Sequence, residues 1–183
     1  MREQIKREVF GDEGLLVVVD FTGIEVATAS YIVKTVLSLA MCGRMHAGAL
    51  NGTEQRSLDG TVEPLNVFPV VFGANEEIQQ EIDEVFARRG LACLIAGEIQ
   101  NGVIAAGAVR GSVEPMIART IRALEGVFEA TAEELHAKCP TERVNVTAWN
   151  NRLSELIRIR LARRRRQGKF WKYQPLAGVM TYG

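Results

Sequence analysis

The chain has 183 residues, 47% of them apolar, enough for one ordinary domain or two small ones with cores of their own. No apolar run reaches the roughly 18 to 20 residues of a membrane span, and the opening "MREQIKREVF" is charged where a secretory signal needs an apolar stretch, so a cytoplasmic protein with no membrane partner is expected. The formal net charge of zero conceals an asymmetry: residues 1–112 hold nine Lys/Arg against 15 Asp/Glu and residues 113–183 hold 13 against seven, which predicts an acidic domain over 1–112 and a basic, phosphate-seeking one over 113–183.

The first predicted element is a strand in "GLLVVVDF", a continuous β-branched run of the kind that is covered on both faces of a parallel or mixed sheet. After the turn "TGIE", Val33, Val36, Leu37 and Ala40 fall at helical spacing and Gly43 stands where a helix commonly stops. The polar stretch "NGTEQRSLDGTVEP" reads as a long loop. A second unit repeats the theme. "NVFPVVF" is an apolar strand, placed by Pro69 at a sheet edge or a bulge, and Asn75 caps a helix with Ile78, Ile82 and Val85 on one face. "LACLIAG" is a third strand, with "NGVIAAGAV" as its hairpin return.

"VVVDFTGIEVATASYIVKTVL" and "VVFGANEEIQQEIDEVFARRGL" resemble the central segments of STAS-like domains, the anti-anti-sigma type of fold. The resemblance spans roughly residues 2 to 97 and implies a mixed sheet with helices and a protein partner such as a kinase-like ATPase. In partner-switching members a serine at the helix start is phosphorylated; in the matching register this chain has Ala29 there, between Thr28 and Ser30, and lacks the usual preceding aspartate. Ser30 is then expected as a hydrogen-bonding residue at the helix start, and Asp20 as a cap of the turn after its strand. The short opening before the first strand predicts a truncated sheet.

No catalytic constellation is legible. His46 and His136 lie far apart, Cys42 and His46 are separated by Gly43, and the glycines at 97, 102, 107 and 111 form no phosphate loop, so neither an enzyme nor a cofactor is expected. Cys42, Cys93 and Cys139 make no CxxC pair, which argues against a disulfide framework or a zinc site and for buried reduced thiols.

In the basic segment Ile117, Ile121, Leu124 and Phe128 form one helical stripe that Ser112 can cap. Thr131 and Glu134 stand in the capping-box relation, and Cys139-Pro140 closes that short helix. A third helix begins near Asn145, with Val146, Trp149, Leu153 and Leu156 inward. Then "IRLARRRR" and "KFWKYQPL" read as two strand arms about Gly168, with Trp171 and Tyr173 on one face and Phe170 and Lys172 on the other. Three helices followed by a basic hairpin resemble a winged helix-turn-helix of the bacterial transcription-regulator type over residues 113–176. The expected fold is therefore α/β, STAS-like, with a C-terminal winged helix-turn-helix domain.

An inward face through Trp149 leaves Thr147, Asn150 and Asn151 outward, where Asn can bond bidentately to adenine and Thr can reach a base or a thymine methyl. Arg152, Arg163, Arg164, Arg165, Arg166, Lys169 and Lys172 are the expected phosphate contacts. The leading expectation is a homodimeric, double-stranded-DNA-binding regulator of transcription; the alternative is a non-enzymatic adaptor of a larger assembly.

Overall fold

In the computed structural model, residues 6–9, 14–42, 67–100 and 103–182 are described. Strand β1 (Lys6–Val9) runs antiparallel to β2 (Leu15–Asp20), and β2, β3 (Val67–Phe72) and β4 (Ala92–Gln100) are mutually parallel neighbours. Strand β5 (Val103–Gly111) returns antiparallel to β4, and β8 (Ala177–Tyr182) joins parallel to β5, which makes a six-stranded mixed sheet ordered β1-β2-β3-β4-β5-β8. The fold is mixed α/β.

The continuous apolar runs follow from what covers the sheet. On one face Val71, Cys93 and Ile95 meet α1, a helical run over residues 29–42, and α2 (Glu76–Ala87) through Ile32, Val36, Leu37, Ile78, Ile82 and Phe86. On the other face Phe68, Val70 and Leu94 meet α3 (Pro115–Glu125) and α5 (Val146–Arg158) through Ile117, Ile121, Leu124, Trp149, Leu153 and Leu156. Alternate residues of one strand thus enter different cores, which leaves the buried stretches 67–71 and 92–96 without a charged position.

Several local expectations are met. Asn75 accepts from the Ile78 amide, the Thr131–Glu134 capping box holds α4 (Ala132–Lys138), and the Asp20 carboxylate accepts the Thr22 amide at 2.8 Å. Others are corrected. Pro69 lies on β3 between β2 and β4, not at an edge; its missing donor is tolerated because the ladder to β4 begins only at Val70. Thr28, not Ser30, caps α1 by accepting from the Tyr31 amide. Within α1 the segment Val33–Leu37 is π-helical, with the Ser38 hydroxyl donating to the Val33 carbonyl, and Ile32 replaces the outward Val33 in the buried stripe. α3 starts with Pro115 after Glu114 and has no side-chain cap, so Ser112 does not serve. Phe128 lies beyond the end of α3, 64% exposed at φ +62°, and leaves the stripe.

Ahead of β2 the described residues hold the four-residue strand β1. The late strand β8 extends the sheet, and this C-terminal segment is thereby built into the same apolar cluster as β3, β4 and β5. Cys93 is buried, and that burial pushes its thiol well above the ordinary range, whereas Cys42 is exposed at the end of α1; all three thiols are free. Gly43, His46 and the stretch "NGTEQRSLDGTVEP" lie outside the described residues. Among the described residues no helix is long and apolar enough to cross a membrane.

Candidate nucleic-acid interface

Helix α5 begins at Asn145, whose side chain accepts from the Ala148 amide, a cap that orients the first turn. Its apolar positions lock one face: Trp149, Leu153 and Leu156 are wholly buried. Thr147, Asn150, Asn151 and Ser154 consequently stand exposed on the other face. Trp149 is a core residue, closed to base stacking, and its indole N–H has no protein acceptor among the described residues.

Arg152 does not join the exposed set. Its side chain is 10% exposed, donates to Glu142 at 2.9 Å and lies over the Trp149 ring at 5.4 Å. It ties α5 to the 3-10 turn Pro140–Glu142 and is turned away from any outside phosphate.

From α5 the chain passes through Arg160 and Leu161 into a hairpin of β6 (Ala162–Gln167) and β7 (Phe170–Pro175). Gln167 pairs with Phe170 across a two-residue loop in which Gly168 takes φ +61°, the conformation a type II′ turn requires at its first central position. The turn fixes register. Arg163 and Arg165 therefore project to one face and Arg164 and Arg166 to the other. Ala130 adds a single bridge to Tyr173, each amide donating to the other's carbonyl at 3.0 and 2.9 Å, so the linker between α3 and α4 is sewn to the return arm of the hairpin.

The two faces differ in chemistry. On the first, the Arg163 Nε donates to Gln174 at 3.0 Å, and Arg165 grips both carboxylate oxygens of Glu129 at 2.7 to 3.0 Å. Lys172 reaches the same carboxylate at 3.4 Å and that of Glu134 at 4.0 Å. The Arg165 hydrogen bonds, more than any other influence, hold the Glu129 carboxyl below the usual carboxylate range. On the second face Arg164 stacks on Trp171 at 4.2 Å and Arg166 donates to the Gly168 carbonyl at 3.3 Å. At the tip Lys169 is exposed, 5.2 Å over the Phe170 ring, and Phe170 itself is exposed. The chain matches no family model, no curated protein and no solved structure.

The run of basic residues thus divides into two groups. Arg164 and Arg166 share a face with Trp171 and buried Tyr173, and on it only Arg166, near the exposed tip with Lys169, stands clear, while Arg165 and Lys172 on the opposite face converge on an internal carboxylate. Glu129 is the member of this cluster that reading the chain missed. It lies 36 residues before Arg165, and no local period or spacing connects them. The backbone invests in its placement: the Glu129 amide donates to the Val127 carbonyl at 2.7 Å across Phe128 at φ +62°, a γ-turn that costs on the order of 1–3 kcal/mol. Among the described residues no group of three or more His, Cys, Asp and Glu side chains is placed to hold a metal.

Proposed function

We propose that this protein binds double-stranded DNA as a regulator of transcription, with residues 113–176 acting as a winged helix. The observation that carries the reading is the order helix, bridge, helix, helix, basic hairpin, in which the buried stripe of α5 leaves Thr147, Asn150 and Asn151 exposed and leads directly into Arg163 to Arg166. In this arrangement α5 enters the major groove and its Asn and Thr side chains read base edges. The hairpin lies along the backbone, where Arg164, Arg166 and Lys169 meet phosphates. Arg152 is left out because it is spent on Glu142. A homodimer on two half-sites is part of the proposal.

A random-sequence duplex titrated by fluorescence polarisation tests it. With about three phosphate contacts the affinity falls with salt at a logarithmic slope near −2.7, and the variant R164A/R166A/K169A flattens that slope towards zero. Binding that ignores salt, or a triple variant as tight as the parent, contradicts the reading.

A second reading, an adaptor whose STAS-like half docks a protein partner, is favoured by the exposed apolar side chains of Val26 (72%), Tyr31 (37%) and Val33 (38%) around the start of α1. Under it V26D/V33D abolishes co-purification of the partner and leaves duplex binding unchanged.

A further inference from the structure

Nucleic-acid phosphate meets proteins through charge-assisted hydrogen bonds, and a guanidinium fork beside an ammonium is one of the strongest settings for it. Arg165 and Lys172 make that setting, directly opposite each other on β6 and β7, and one carboxylate fills it. The carboxylate comes from neither arm of the hairpin. It is brought across from the linker between α3 and α4 by a left-handed residue and pinned by the Ala130–Tyr173 bridge next to it. The cluster is not sealed: the side chains of Arg165, Glu129 and Lys172 are 40%, 24% and 20% exposed.

We propose that Glu129 is an intramolecular stand-in for a phosphate, holding Arg165 and Lys172 as a latent anion site that a DNA phosphate takes over when it displaces the carboxylate. The inference rests on the DNA-binding reading and deepens it, because it sets how much of the hairpin's charge is available at first encounter. Arg164, Arg166 and Lys169 make that encounter. Arg165 and Lys172 are released only where a phosphate is held close enough to compete with Glu129, which favours backbone that follows the hairpin over polyanions that touch its tip alone.

The test compares parent, E129Q, R165Q and E129Q/R165Q on one duplex from about 50 to about 200 mM salt. Releasing Arg165 and Lys172 from Glu129 steepens the slope of E129Q by up to about 1.8, so its advantage over the parent shrinks by up to about twelvefold across that range, and R165Q in the E129Q background removes about half of the gain. R165Q flattens the parent slope by less than it flattens that of E129Q, because in the parent Glu129 must first be displaced; an equal loss of about 0.9 in both backgrounds overturns the proposal. So does an E129Q line parallel to or below the parent's. Calorimetric titration with inorganic tripolyphosphate separates this inference from its parent reading. If no variant binds duplex, DNA binding fails as a function, and tighter tripolyphosphate binding by E129Q than by the parent upholds the latent site, whereas equal affinity overturns it.

Discussion

Asn151 and Arg152 are adjacent in sequence and have opposite fates, because α5 turns one out and the other against Trp149. Asn151→Ala is expected to cost about 1–3 kcal/mol of discrimination at one base pair while non-specific affinity stays nearly constant, measured by competition between related duplexes. Arg152→Ala is expected to lower stability by about 1.5–3 kcal/mol in denaturant unfolding, through loss of the charged hydrogen bond to Glu142, without altering the salt slope. Two glutamates respond to pH with opposite sign. Glu129 is held below the usual carboxylate range by Arg165, so its contribution to stability is present above the unfolded value and lost as pH falls through its lower folded value. E129Q is then less stable than the parent at about pH 7, and the gap narrows as pH falls below the ordinary carboxylate range and closes below the lower folded value of Glu129. Burial raises Glu125 against the opposing pull of the Met180 amide and Arg122, so whatever favours its neutral form is present at low pH and lost as pH rises through its folded value. Glu125→Gln keeps an acceptor for the Met180 amide and is expected to raise the Tm near neutral pH, with no gain in acid.

At the scale of elements, what was legible in the chain was whatever local chemistry decides. The Asn75, Thr131 and Asn145 caps, the buried stripe of α5 and the glycine-centred hairpin each follow from a few consecutive residues. What was not legible depends on contacts distant in sequence. Pro69 argues for an edge only if the neighbouring ladder needs its amide, and that ladder starts one residue later. Phe128 fits the α3 period, yet the helix ends at Glu125, and a γ-turn over Val127–Glu129 then brings Glu129 onto Arg165. The π-helical turn in α1 shifts its stripe by one residue, from Val33 to Ile32. At the hairpin itself, Gly168→Val places a β-branched side chain at φ +61° and is expected to destabilise by about 1–2 kcal/mol or more, with weaker duplex binding as the tip loses its register. An unchanged Tm would mean that the turn adopts another form.

For the whole molecule, the opposite charges of residues 1–112 and 113–183 predict two domains, and the structure places a strand from the second in the sheet of the first. β8 adds Ala177 and Met180 to the cluster that also holds Val70, Leu94, Ile121 and Trp149, and buried Arg160 donates across to the Ala40 carbonyl at the end of α1. A core shared in this way predicts a single cooperative unfolding transition in calorimetry; two separated transitions would contradict it. Deleting residues 177–183 uncovers the β5 edge and is expected to lower the Tm of the whole chain, not of one half.

The central claim is that the exposed face of α5 and the exposed basic tip of the hairpin engage one duplex together. Backbone amide shifts followed by nuclear magnetic resonance during titration with a short duplex test it most directly. The account predicts perturbations concentrated at 147–154 and 164–170, with a smaller set at 129 and 172 as the carboxylate gives way. Perturbations confined to α1 and β8, or none at low salt, would contradict it.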